Sequence, residues 1–341
     1  MTETPKLLRL DSLWLDEADE HLNRLSWSPD DMRLAAAYAD GSVAVFDVRE
    51  GRQLWRHEMH GLGTSAVSWS PDGTVLASGG QQGGIVLWDP AEGQVRRTLD
   101  SGRSWVEFLC WSEDGVLASA AGREIRLWSA DGECIHSFDQ TGSTVTGLLW
   151  LPDGTLLSSC YGIVNRWSPE RTTPTRYFPW KDSLLSLSVS PDQRFIAVGC
   201  QDNSIHLWYL KSGEDFQMSG YPSKVKHFSW SADSRYFATG GAEALIIWDC
   251  SGSGPQKKEP VVLPVHNKPV SAVVFSHADS RVVTGGEDGL VSVIDLASGE
   301  PLAGLLDEAA VSNIAWSHDD NYLAIGYSTG RLRICQVPSS K

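Results

Sequence analysis

The strongest constraint on this 341-residue chain is that it repeats itself eight times. The copies align on Trp27, Trp69, Trp111, Trp150, Val189, Trp230, Phe275 and Trp316, at intervals of 39 to 45 residues. Two residues before each anchor stands an apolar residue: Leu25, Val67, Leu109, Leu148, Leu187, Phe228, Val273 and Ile314. Small residues such as Ser26, Ser68, Cys110 and Ser188 lie between, so anchor and partner share one face of a strand. A turn follows, SPDD at 28–31, SPDG at 70–73 or LPDG at 151–154, in which Pro presets φ while Asp and Gly accept the turn geometry. A second strand comes next, with an apolar residue seven after the anchor at Leu34, Leu76, Ile196, Phe237, Val282 and Leu323. A third strand ends in an aromatic, as in VFD at 45–47, LWD at 87–89 and IWD at 247–249. A more variable fourth closes the unit.

Four short strands every ~40–45 residues is the pattern of a propeller blade, which buries its apolar faces only against neighbouring copies. These units resemble the WD-repeat family over essentially the whole chain, although only Trp88-Asp89 and Trp248-Asp249 keep the literal dipeptide. The resemblance implies an all-β chain, a single closed propeller over residues 1–341 with eight four-stranded blades. Seven blades and a stray repeat is the alternative. It further implies that the two ends share a blade. The eighth copy stops at RLRICQV (331–337), and KLLRLD (6–11) precedes the first copy, so residues 6–11 are expected to complete the last blade as its outer strand.

Charge narrows the function. The net charge is −15 with a pI near 5.0, which repels phosphate backbones and anionic membranes, so neither nucleic acid nor membrane is an expected partner. The six scattered cysteines form no CxxC pair and read as reduced thiols. The N-terminus lacks the basic and apolar regions of a secretory signal, and no run reaches the ~18 apolar residues of a membrane span. The expected location is cytoplasmic.

No phosphate-cradling loop, HExxH or GxSxG motif is present, so no catalytic residue, cofactor or metal ligand set is assigned and the chain is read as non-enzymatic. His57 and His60 are the only histidines with a ligand-like spacing, and they read as a strand end and a loop. In the family, a His before the first strand, a Ser or Thr in the second, an Asp in the next turn and the third-strand Trp form a structural network. The His position, nine before each anchor, holds Ala18, His60, Gly102, Thr141, Trp180, Tyr221, His266 and Asp307. The resemblance therefore implies partial networks at His60–Ser78–Trp88 and His266–Thr284–Asp288, with Gln82 and Ile294 in the missing places.

The resemblance also sorts the loops into two faces. The face of the SPDG turns is acidic, with Asp30, Asp72, Asp192, Asp233 and Asp319 among its residues. The opposite face carries Arg103, Trp105, Tyr161, Trp180, Lys181, Tyr221, Lys224, His266, Lys268 and Tyr327. Aromatic and basic side chains on loops of a rigid scaffold are what protein interfaces use. This face is the expected docking surface for other proteins, through an acidic segment, and the chain is expected to be an interaction scaffold. A small-ligand or metal-binding protein or enzyme working in the axial channel is the alternative. Filling of the family's His place by Trp180 and Tyr221 is the competing explanation for those two residues.

Overall fold

The computed structural model describes residues 8–338, and every regular element in them is a strand. The described backbone groups into two compact units, one of Glu20–Gly220 and one of the residues up to Asp19 with those from Tyr221 on.

In the first unit, the first repeat forms an antiparallel sheet of Leu22–Trp27, Arg33–Tyr38, Ser42–Asp47 and Arg52–Glu58. Repeats two and three do the same from Thr64–Trp69 to Val95–Asp100 and from Val106–Trp111 to Cys134–Ser137. Repeats four and five share one six-stranded sheet because two strands are long. Leu156–Trp167 pairs with Gly147–Trp150 through its first residues and with Arg176–Val189 after Tyr161. Arg176–Val189 then continues without a coil break onto Phe195–Cys200. The eight repeats thus occupy seven hydrogen-bonded sheets rather than eight separate ones.

The second unit holds repeats six to eight. Its eighth repeat contributes Val311–Trp316, Tyr322–Tyr327 and Leu332–Gln336, and the fourth strand is Asp11–Asp16 from the other end of the chain. The expected completing strand is real, but it lies later than residues 6–11. Lys6 and Leu7 are outside the described residues, and Leu8–Arg9 instead runs parallel to Glu300–Leu306 of repeat seven. Leu10 explains the offset: it is fully buried among Ala303, Leu305, Tyr327 and Cys335, so antiparallel pairing starts beyond it. Asp307 reinforces the junction, taking Arg331 and Arg333 at 3.1 Å each.

The anchors explain how repeats stack. Four of the anchor indole N–H groups donate to the carbonyl of the residue just before the preceding anchor. Trp69 bonds Ser26, Trp111 bonds Ser68, Trp150 bonds Cys110 and Trp316 bonds Val274, at 3.0 to 3.3 Å. Phe275 has no such donor, and its backbone N–H bonds the Ser229 hydroxyl at 3.0 Å. Each bond contributes about 1 kcal/mol net, and its acceptor fixes the approach of one sheet to the next. Between the sheets lie the apolar residues seven after the anchors, of which Leu34, Leu76, Ile196, Phe237, Val282 and Leu323 are all fully buried. Burial of one such side chain contributes about 1.5–3 kcal/mol.

The acidic turns close on themselves. The Ser28 hydroxyl donates to Asp30 at 2.6 Å, and the same bond recurs from Ser70 to Asp72, Ser190 to Asp192, Ser231 to Asp233 and Ser317 to Asp319. The backbone N–H two residues on donates to the same carboxylate. The Ser70 hydroxyl, followed by the Thr74 N–H, holds Asp72 below the usual carboxylate range. These acids shape turns.

Candidate functional site

In the first unit the loops on the side opposite the acidic turns are fastened to one another in a row. Gly83 takes φ +81 and lies so close to the Gly102 carbonyl that a Cβ there would sit 1.9 Å from its oxygen, so only glycine fits. Beyond Gly102 come Arg103 and Trp105. Next, Arg123 donates through Nε to the Thr141 carbonyl at 2.8 Å, and the Thr141 hydroxyl returns a bond to the Arg123 carbonyl at 3.1 Å. The Tyr161 backbone N–H donates to Ser143 at 2.9 Å. Tyr161 stands opposite Ser183 in the register, and the Asp202 N–H donates to Asp182 at 2.8 Å. Repeats three, four and five therefore present one continuous strip of backbone.

The strip carries exposed aromatics and unpaired cations. Trp105 is 52% exposed and Tyr161 63%. Arg103, Arg123 and Lys181 are exposed, and among the described residues none of the three forms an ion pair. Arg123 is a site residue that the sequence reading missed. Its position after Gly122 in the turn between second and third strands was the available signal, since these turns adjoin the loops before the first strands.

Trp180 belongs only partly to this surface. Its ring stacks on His206 with centroids 3.5 Å apart and planes 20° apart, and it packs on the apolar cluster of Val198, Cys200 and Trp208. Lys181 Nζ lies 5.3 Å from the ring centre on the exposed side. The His206 side chain is fully buried, and burial pushes its imidazole down to about 4, so it is neutral against Asp215 at 2.9 Å.

Three expected docking residues are corrected. Tyr221, His266 and Tyr327 are buried, at 7%, 9% and 0% exposure. Tyr221 has swung inward, its hydroxyl 3.0 Å from the Thr239 hydroxyl and accepting the Trp248 indole N–H at 2.8 Å. His266 lies 2.8 Å from Thr284 and 3.0 Å from Asp288. Tyr327 is enclosed by the apolar cluster around Leu10. Lys224 and Lys268 do stand exposed on the second unit. The partial network at His60 also forms, with Ser78 at 2.7 Å and Trp88 donating to Ser78 at 2.8 Å.

Asp182, Cys200 and Asp202 bring three ligand-type atoms within 4.8 Å of one another. Their acceptors are already engaged. Asp182 holds the Asp202 N–H, Asp202 takes Ser204 and Gln217, and burial pushes the Cys200 thiol up to about 12. The arrangement reads as a turn fastening.

Known proteins agree with this fold. The profile described as "Anaphase-promoting complex subunit 4 WD40 domain" matches residues 8–62 and 50–114, and that described as "WD domain, G-beta repeat" matches 132–168, 173–209 and 257–295. The B-type cell cycle switch protein ccs52B of Medicago truncatula is 28% identical over 43% of this chain and 31% of its own length. Eukaryotic translation initiation factor 3 subunit I of Aspergillus oryzae is 26% identical over 46% of this chain and 50% of its own. The match thus spans a third to a half of these relatives. Among solved structures, the computationally designed Ika8 protein superposes with a TM-score of 0.82 at 22% identity, covering 97% of this chain and all of that one. The C-terminal WD40 domain of Sif2 superposes at 0.80 and 16% identity, covering 98% of this chain. Repeats, strand order and these likenesses converge: the chain belongs to the WD-repeat family of β-propellers.

Proposed function

We propose that this chain is a non-enzymatic protein-docking scaffold, and that the strip over repeats three to five receives an acidic, extended segment of its partner. The observation that carries the reading is the pairing of Trp105 and Tyr161, more than half exposed, with Arg103, Arg123 and Lys181 free of ion pairs in a protein of net charge −15. Aromatic rings supply apolar contact at low entropic cost, and unpaired cations supply complementarity to an acidic chain. The fastenings between the loops supply preorganisation, which lowers the ordering cost of binding. The relatives support the same class: ccs52B is named a cell cycle switch protein, and the other a subunit of a translation initiation factor. The His–Ser–Trp and Asp–His–Thr groups are buried and occupied in structural bonds, which favours a scaffold over a catalyst. Six cysteines outside any disulfide suit a reducing, cytoplasmic setting.

The test is quantitative capture of cellular proteins on the immobilised chain, comparing wild type with a W105A/Y161A double variant and with D72N on the turn side. The double variant is expected to lose the wild-type partners at least about tenfold while D72N keeps them. An unchanged partner set on the double variant contradicts the reading.

A further inference from the structure

The loop before the first strand of repeat two carries two large apolar side chains that the core does not use. Met59 is 47% exposed and Leu62 69%. Seven residues before the anchor, where Leu62 stands, other repeats hold small, polar or charged residues such as Glu20, Ser104, Ser143, Asp182 and Lys268.

The loop is held in a way that keeps both side chains outside. Between them His60 turns inward, 4% exposed and 2.7 Å from the Ser78 hydroxyl. The Met59 and His60 N–H groups both donate to the Gly41 carbonyl of repeat one at 3.2 Å, and the Gly63 N–H closes a turn on the His60 carbonyl at 3.4 Å, with Leu62 at its tip. On the far side the Gln81 N–H donates to the Gly63 carbonyl at 3.1 Å, and the Ser101 N–H to the Gly83 carbonyl at 3.1 Å. The turn at 81–83 therefore joins the Leu62 loop to the loop of Arg103 and Trp105, and the row of fastened loops that forms the strip begins at repeat two. Charge changes along this row. Glu58, exposed beside Met59, disfavours an acid at the repeat-two end, whereas Arg103, Arg123 and Lys181 favour one further on.

We infer that Met59 and Leu62 receive the large apolar residues of the same segment that the strip binds. The ligand is then an extended peptide of two halves, an apolar end over repeat two and an acidic run over repeats three to five. This inference rests on the docking reading and adds a specificity element to it. Apolar side chains held on a fixed loop bury area on contact without first paying to order the loop.

The experiment selects phage-displayed random peptides of about twelve residues, which span about 40 Å when extended, on the immobilised full chain. Wild type, M59S/L62S and W105A/Y161A are used in parallel. Wild type is expected to enrich peptides in which an acidic run is flanked on one side by Leu, Ile, Phe or Met. M59S/L62S is expected to keep the acidic run and lose the flank, and the leading wild-type peptide, made synthetically, should bind it at least about tenfold more weakly. Met59 and Leu62 are exposed, so this variant should melt with wild type; L62S alone decides if it does not. Acidic peptides without an apolar flank on wild type, or flanked peptides that bind M59S/L62S as tightly as wild type, overturn this inference and leave the docking reading standing. Enrichment of no acidic peptide by wild type, or of the same peptides by W105A/Y161A, overturns the docking reading and this inference with it.

Discussion

The residue nine before the anchor meets different fates in repeats five and six, and the comparison shows what separates them. Trp180 and Tyr221 occupy the same place in consecutive repeats. Tyr221 is buried and bonded to Thr239 and Trp248, whereas Trp180 is partly exposed and its buried indole nitrogen has no partner. The difference lies in the second strand. Repeat six offers Thr239 nine after its anchor, and repeats two and seven offer Ser78 and Thr284, which receive His60 and His266. Repeat five offers Val198, which can bond nothing, so Trp180 settles by stacking on His206. In repeats two, six and seven a buried hydroxyl receives the loop residue, whereas in repeat five none is offered and Trp180 stays partly at the surface.

Denaturation by urea at neutral pH should grade this distinction. His266→Ala removes a ring between Thr284 and Asp288 and leaves both buried groups short of a partner, for an expected loss of about 2–4 kcal/mol. Tyr221→Phe deletes only the hydroxyl that Thr239 and Trp248 share and should cost about 1–2 kcal/mol. Trp105→Ala, at a surface position with no such network, should stay within about 0.5 kcal/mol of wild type. The order would be broken if Trp105→Ala matched His266→Ala.

Acid sharpens the same contrast. Burial pushes His60 down to about 4, whereas an unfolded histidine titrates near 6.5. Between those values the unfolded chain binds a proton that the folded chain refuses, so this contribution is fully present above about pH 6.5 and is lost as pH falls toward 4. His60→Gln should therefore flatten the decline of stability over that window, by up to about 1.4 kcal/mol per pH unit. An identical slope in wild type and variant would place the proton elsewhere. His206, also near 4, leaves part of the slope in both.

Much of the fold was legible because each repeat states its strands and turn separately, and eight statements agree. The anchors and the fully buried residues at plus seven needed no structure to find. The shared sheet of repeats four and five was not legible, since Tyr161-Gly162 and Pro179–Asp182 look like ordinary loop residues and only pairing shows them to be continuous strand. The offset of the completing strand was hidden as well, because Leu10 reads as part of an apolar run until its burial is seen. In the proposed docking strip, Trp105, Tyr161, Arg103 and Lys181 were found by residue type. Tyr221, His266 and Tyr327 were misplaced because type alone ignores the buried hydroxyl or apolar cluster waiting for them.

Hydroxyl-radical footprinting of the folded chain, read residue by residue by mass spectrometry, measures the two fates at once. Trp105 and Tyr161 should be oxidised rapidly, and Tyr221 and Tyr327 should be protected until the chain is unfolded. Rapid oxidation of Tyr221 in the native protein, or protection of Trp105 and Tyr161, would contradict the sorting of loop residues on which the proposed docking strip rests.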